Sequence, residues 1–140
     1  MNTTEDFACA VELPYWQAPN DDLAVQFEGD SLTATFKIWE SPSRYSKLKG
    51  LFEFSGVWAA RHQRHKGLKY YRDREDDTFA SCYWLIPNSS WLKTLKAERS
   101  ASFPGWEDYE AGEYTHYIIQ SNAFYIEVIA RNIKISRIDP

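Results

Sequence analysis

A histidine and a glutamate near the C-terminal end of the chain form the first candidate site. The runs 114–121 and 123–130 are expected to pair as a β-hairpin around Asn122, and a short loop there places His116 directly or diagonally opposite Glu127. An imidazole beside a carboxylate can serve as a general base and the group that orients it. No nucleophile motif accompanies this pair, so a cross-strand contact that only stabilises the sheet is the alternative interpretation.

A second group of residues is acidic and aromatic. It lies in the acidic loop, residues 102–113. Within this loop, Pro104 and two glycines without any periodicity predict an irregular connection over residues 102–112. The candidate partner-binding residues of this loop are Trp106, Glu107, Asp108, Tyr109, Glu110 and Glu113. Clustered carboxylates attract a basic partner, and tryptophan or tyrosine can anchor it. Alternatively, the two aromatic residues attach a long loop to the core while the acids keep it soluble.

The third group is the basic segment, residues 61–74, which holds six of the sixteen lysines and arginines, two histidines and one acid. Its net charge is +5, and the remainder of the chain carries −9. Tyr70 and Tyr71 could stack on bases while the basic side chains neutralise phosphates. The net charge of −4 repels a polyanion, however, so nucleic acid is not the expected partner. The alternative is a solvated hairpin end between two central strands.

The common catalytic and metal-binding motifs are absent from the sequence. It contains no phosphate-binding loop, no dinucleotide fingerprint and no nucleophile elbow. The three histidines and the two cysteines, Cys9 and Cys82, do not have the spacing of zinc ligands, and the acids of the loop do not follow the order of a calcium-binding loop. We therefore expect no metal and no cofactor, and we expect both cysteines to be free thiols.

The elements that must position these residues are mostly strands. In residues 22–39, alternating apolar residues flank Gly29 and Asp30, which predicts a hairpin with a two-residue loop. That loop pairs Val25 with Ala34 and places the apolar residues of both strands on one face.

Two further runs, 51–60 and 79–86, are apolar at both alternating positions, which predicts central strands covered on both faces. Residues 87–90 supply a turn and an N-cap, and a short helix ending near Arg99 follows. The last run, 132–138, alternates as a strand with one buried face. The predicted fold class is α+β and β-rich: a mostly antiparallel sheet of six to seven strands with one short helix, or alternatively a small half-open β-barrel.

Length and composition indicate one domain spanning residues 1–140, with residues 1–20 as a more loosely ordered N-terminal segment. The chain is 44% hydrophobic and 16% aromatic, unlike a disordered chain. No apolar run approaches the roughly 20 residues that span a bilayer, and the first residues lack the features of a signal peptide. We expect a cytoplasmic protein that contacts no membrane and exists as a monomer or homodimer.

Three runs in the C-terminal part of the chain resemble a known group of proteins. They are NSSWL at 88–92, HYII at 116–119 and YIEVIA at 125–130. They resemble small uncharacterised bacterial proteins, some of which are immunity proteins that neutralise polymorphic toxins. The resemblance does not extend to the N-terminal half and assigns a role to no individual residue.

These observations leave three functional hypotheses. The first is a non-enzymatic binding protein, an immunity-type inhibitor that contacts a basic protein partner through the acidic loop. The second is a small-molecule-binding or hydrolytic sheet domain in which His116, Glu127 and Tyr117 line a pocket. The third is a nucleic-acid-binding protein that uses the basic segment, whose affinity would fall steeply with salt.

Overall fold

The computed structural model describes residues 6–64, 70, 80–110 and 112–139. Its strands are β1 (Cys9–Glu12), β2 (Ala24–Glu28), β3 (Ser31–Ser41), β4 (Arg44–Gln63), β5 (Cys82–Ile86), β6 (Thr115–Gln120) and β7 (Tyr125–Ile138). They form one antiparallel sheet in the order β1-β5-β6-β7-β4-β3-β2, which is open because β1 and β2 are its two edges. The helix α1 (Ser90–Ser102) and a short 3-10 turn (Trp106–Asp108) follow β5. The predicted antiparallel sheet with a single helix is confirmed.

The hairpin of β2 and β3 has the predicted register. Glu28 pairs with Ser31 and Val25 pairs with Ala34, and Gly29 takes the left-handed conformation with a φ of 61°. Glycine adopts such a φ without the steric penalty that other residues meet, which explains a tight turn at this position. Phe27 is nevertheless 60% exposed, because β2 is an edge strand of the sheet.

The two runs predicted as central strands are interior strands, but neither is the middle of the sheet. β4 lies between β7 and β3, and β5 lies between β1 and β6. The middle strand is β7, and its long pairing with β4 runs from Lys49 opposite Ile138 to Gln63 opposite Tyr125. Apolar residues at both alternating positions indicate that a strand is covered on both faces, but they do not indicate its neighbours.

The connection between β4 and β5 is a crossover. Because β7 and β6 lie between these two strands, β4 and β5 are not neighbours, and the prediction of a hairpin end between them is wrong. Most of the basic segment is in this connection, and residues 65–69 and 71–79 lie outside the described residues. Tyr70 is described, and it is buried against the face formed by β5 and β6, where it contacts a small apolar cluster with Trp84 and Ile118.

The larger core cluster lies on the long strands. Its most buried members are Leu32, Ala34, Phe36, Phe52, Phe54, Ile119, Val128 and Ala130. Leu13 and Leu23 join it from the segment that connects β1 to β2. Gln17, also in this segment, bridges to Ile38 of β3 and donates its side-chain amide to the Gln120 carbonyl oxygen at 2.7 Å. Leu13 and Gln17 of the N-terminal segment are thus buried, and residues 1–5 lie outside the described residues.

The helix α1 begins where the sequence predicts. Ser89 is its N-cap, with a side chain that accepts a hydrogen bond from the Leu92 backbone N–H at 3.0 Å. The helix continues past Arg99 to Ser102 and ends where the Phe103 N–H donates to the Arg99 carbonyl oxygen. Within the described ranges, no helix is long and apolar enough to span a membrane.

Candidate functional site

The structure brings His116 and Glu127 together, as the hairpin register predicts. Ile118 lies directly opposite Glu127, and His116 lies opposite Ile129, so the histidine and the glutamate are diagonal neighbours on one face of the β6–β7 pair. The distance between His116 Nε2 and Glu127 Oε1 is 2.7 Å, and both side chains are buried.

Glu127 receives two further hydrogen bonds. Arg61 lies directly opposite Glu127 across β4 and β7, and its Nη2 donates to Glu127 Oε1 at 3.0 Å. Tyr70, on the crossover, donates its hydroxyl to the same oxygen at 3.1 Å. Arg61 Nη2 also donates to the Tyr70 hydroxyl at 2.9 Å. The carboxylate thus has three charged or polar donors in a site from which water is excluded, which is the condition under which a buried charge is tolerated.

The other ring nitrogen of His116 bonds to the start of the helix. Ser89 Oγ lies 2.7 Å from His116 Nδ1 and accepts the Leu92 N–H as the helix N-cap. If the Ser89 hydroxyl donates to Nδ1 and the Nε2–H donates to Glu127, every polar atom of this chain of bonds has a partner. We therefore assign the imidazole proton to Nε2.

The electrostatics of the network follow from burial and hydrogen bonding. Burial alone would raise the pKa of Glu127, but the hydrogen bonds from His116 and Arg61 outweigh it and lower that pKa to about 2. Burial, reinforced by the nearby Glu127 charge, raises the pKa of Tyr70 to about 12. The Arg61 guanidinium lies 3.9 Å from the centre of the Trp91 ring, and the same indole meets the His116 ring edge-on at 5.2 Å.

The line from Ser89 through His116 to Glu127 has the order of a nucleophile, a base and the group that orients the base. Three features set it apart from a hydrolytic site. Ser89 is 3% exposed, His116 0% and Glu127 2%, so none of the three meets solvent. The serine oxygen is also occupied as the helix cap. Tyr117 does not join them, since its ring packs in the larger core at 5.3 Å from Phe54. In this conformation the network joins β4, the crossover, β6, β7 and α1.

In the acidic loop, Trp106 and Glu110 face the fold. Trp106 is 3% exposed, meets the Trp58 ring edge-on at 5.3 Å and donates its indole N–H to Ser100 Oγ at 3.0 Å. Glu110 accepts hydrogen bonds from Arg99 and Arg131. These contacts hold both ends of the 3-10 turn against α1 and β7.

The other four candidate residues of the acidic loop point outward. They are Glu107, Asp108, Tyr109 and Glu113, all of which are exposed. Tyr109 is 79% exposed and stacks on Phe103, which is 49% exposed, with the ring centres 6.1 Å apart and the planes 15° from parallel. The acidic loop also lines a cleft of about 120 Å³, with Glu107, Glu110 and Glu113 among its lining residues. The sequence did not identify Phe103 as part of this surface.

In the described part of the basic segment, Arg61 and Tyr70 turn inward, whereas His62 and Arg64 are exposed. Arg61 and Tyr70 bond to Glu127, and the His62 ring stacks on Phe124 with 4.6 Å between ring centres. Residues 65–69 and 71–74, which hold both lysines and two of the four arginines of the segment, lie outside the described residues.

No protein-family model, curated protein or solved structure matches this chain. Among the residues with described positions, no group of three or more histidine, cysteine, aspartate or glutamate side chains is arranged to hold a metal ion. The described residues offer two candidate sites, the buried network around Glu127 and the exposed surface of the acidic loop.

Proposed function

We propose that this protein is a non-enzymatic binding protein whose acidic loop contacts a basic protein partner. The observation that carries the proposal is the exposed, stacked pair of Phe103 and Tyr109 beside the exposed carboxylates of Glu107 and Asp108. Protein interfaces are enriched in aromatic residues that act as anchors, and surrounding charges set the rate and the specificity of association.

The loop is held in place before any partner arrives. Trp106 fastens its first half through the indole N–H bond to Ser100, and Glu110 fastens the second half through Arg99 and Arg131. A surface that is already ordered loses less conformational entropy on binding, which favours affinity. The buried tryptophan therefore supports the surface from beneath, while Phe103 makes up the exposed aromatic pair with Tyr109.

The charge and the size of the cleft suit a cationic side chain. Three glutamates and Lys96 are among the lining of a space of about 120 Å³, which is large enough to admit a lysine or arginine head group. A guanidinium placed there would form charge-assisted hydrogen bonds with the glutamates, and it would lie near aromatic rings that attract cations.

The resemblance to immunity-type proteins suggests a class of partner, a basic toxin domain, and suggests that the interaction neutralises it. Neither Cys9 nor Cys82 forms a disulfide bond, which supports a reducing compartment, and in this proposal that compartment is the cytoplasm. The alternative of a hydrolytic site is not favoured by a comparable exposed surface, because Ser89, His116 and Glu127 are all buried away from any substrate.

The proposal is tested with a hexa-arginine peptide as the basic probe, a hexa-glutamate peptide as its charge control and amide chemical shifts as the readout. The arginine peptide should shift resonances of residues 103–113 and the glutamate peptide should not. Replacing Glu107, Asp108 and Glu113 by Gln, Asn and Gln should weaken binding several-fold at low salt and leave the melting temperature nearly unchanged, because all three side chains are exposed.

The matched control removes the same charge from another surface. Glu12, Glu28 and Asp30 are exposed residues of β1, β2 and the hairpin turn, and their replacement by Gln, Gln and Asn changes the net charge equally. If this control weakens peptide binding as much as the loop variant does, only the net charge matters and the acidic loop is not the binding site. Shifts confined to other parts of the sheet would also refute the proposal.

A further inference from the structure

The outer end of the β3–β4 hairpin is basic in an otherwise acidic protein. Residues 37–49 contain four basic residues and one acidic residue, whereas the whole chain has a net charge of −4. Two clefts lie on this end of the hairpin, one lined by lysines and one by tryptophans.

The lysine cleft has a volume of about 230 Å³ and includes Lys37, Tyr45, Lys47 and Lys49 in its lining. Lys37 and Lys49 are direct partners across the two strands, an arrangement in which like charges repel. Asp21 offsets part of this charge, since its Oδ1 lies 3.5 Å from Lys37 Nζ. Among the residues that the structure describes, no ion pair involves Lys47 or Lys49. A bound anion would relieve this repulsion.

The tryptophan cleft is larger and apolar. It has a volume of about 370 Å³, with Trp16, Trp39 and Pro42 among its lining residues, and Trp16 is 49% exposed. The Trp39 backbone N–H donates to the Trp16 carbonyl oxygen at 2.9 Å, which holds the two backbone segments together. Flat, exposed indoles provide stacking surfaces for planar rings.

The two clefts adjoin each other. Trp39, in the wall of the first, pairs across the strands with Tyr45, in the wall of the second. Tyr45 is held by a 2.7 Å hydrogen bond from its hydroxyl to Asp21. A ligand that reaches from one cleft to the other would therefore place an apolar ring beside the indoles and an anionic group beside the lysines.

We propose that this end of the hairpin binds a ligand that carries a phosphate next to a planar ring, namely a nucleotide. The ring stacks in the tryptophan cleft, and the phosphate is held by Lys37, Lys47 and Lys49, because lysine ammonium groups are common phosphate ligands. A single nucleotide fits better than a long nucleic acid, since the net charge of −4 repels an extended polyanion. This site shares no residue with the acidic loop, so either proposal can fail without the other.

Isothermal titration calorimetry with adenosine 5′-monophosphate, adenosine, inorganic phosphate and a ten-nucleotide single-stranded oligo(dA) tests this proposal. The monophosphate should bind at least about fivefold more tightly than adenosine or phosphate alone, as expected when stacking and charge act together. Its affinity should fall as salt is raised, while that of adenosine should not. Tighter binding of oligo(dA) than of the monophosphate would overturn the choice of a single nucleotide as the ligand and would point to a single strand instead.

Variants separate the two halves of the site. Replacing Lys47 and Lys49 by Gln should weaken binding of the monophosphate at least about fivefold and leave adenosine binding unchanged. Trp16→Ala should weaken both ligands and leave phosphate binding unchanged. Replacing the exposed Lys93 and Lys134 by Gln removes the same charge elsewhere and should have no effect.

Thermal melting establishes that each variant is folded, which is expected because the substituted side chains are largely on the surface. The proposal is overturned if the monophosphate does not bind at millimolar concentration, or if phosphate alone binds as tightly as the nucleotide. It is also overturned if the distant lysine control weakens binding as much as the variant at Lys47 and Lys49.

Discussion

Replacing Glu127 by Gln tests whether the buried network contributes a specific, pH-dependent part of the stability. The substitution keeps the size of the side chain and an acceptor oxygen, but it removes the charge that Arg61, Tyr70 and His116 all contact. The variant should therefore be less stable than the wild type at pH 7. The variant should also lose less stability than the wild type as the pH falls, because it lacks the titrating carboxyl group of Glu127.

The expected size follows from the pKa of Glu127, which is lowered from 4.5 to about 2 in the folded protein. A carboxyl group whose pKa is lower in the folded than in the unfolded state stabilises the fold at pH values above its unfolded pKa. This stabilisation is lost as the pH falls toward the folded pKa. A difference of about 2.5 units corresponds to about 3 kcal/mol, of which about 2 kcal/mol is lost by pH 3. The relevant window is therefore pH 5 to 2.

The assay is urea denaturation at pH 7, 5, 4 and 3, followed by tryptophan fluorescence. The difference in the free energy of unfolding between the wild type and Glu127→Gln should shrink by about 2 kcal/mol between pH 7 and pH 3. Other carboxyl groups titrate in both proteins and cancel in this difference. Glu28→Gln, at an exposed position on β2, should give a curve parallel to the wild type. A constant difference between the wild type and Glu127→Gln would show that the network does not lower the pKa of Glu127.

Three further predictions concern packing and capping. Trp84→Ala should lower the free energy of unfolding by about 3–5 kcal/mol in urea denaturation, because Trp84 is 3% exposed. Trp58→Ala should lower the free energy of unfolding by a smaller amount, because Trp58 is half-buried. Ser89→Ala should lower the free energy of unfolding by about 2–4 kcal/mol in the same assay, because it removes the helix cap and leaves His116 Nδ1 without a hydrogen-bond donor. A decrease below about 0.5 kcal/mol would contradict this prediction. Trp106→Ala should lower the melting temperature strongly, whereas Tyr109→Ala, at a 79% exposed position, should leave it nearly unchanged. Equal changes in melting temperature would contradict the assignment of Trp106 to the interior and Tyr109 to the surface.

Local patterns predicted several features correctly. The turn at Gly29 and Asp30, an N-cap within residues 87–90 and the direct or diagonal approach of His116 and Glu127 are each predicted from a few adjacent residues. In each case the relevant physics is short-ranged. A turn depends on the φ angles its residues tolerate, a cap on one side-chain oxygen, and a hairpin on a strict two-residue alternation once the loop is placed.

The acidic loop shows the limit of such reasoning. Its composition predicts an acidic, aromatic segment, but it does not indicate which aromatic residue turns inward. Trp106 is buried because Trp58 and Ser100 lie beneath it, and those contacts come from β4 and α1. Phe103 becomes part of the exposed surface because the helix ends there and its ring meets Tyr109.

Local sequence patterns are enough to predict the β-rich class, the two tight hairpins, the start of the helix and the approach of His116 to Glu127. The pairing of β4 with β7 appears only in the folded chain, where Arg61 lies opposite Glu127 and Tyr70 bonds to the same carboxylate. Alternation records which residues of a strand share a face, whereas the choice of a distant neighbour depends on how whole faces fit together. That choice is made by contacts between residues far apart in the chain, so no local pattern contains it.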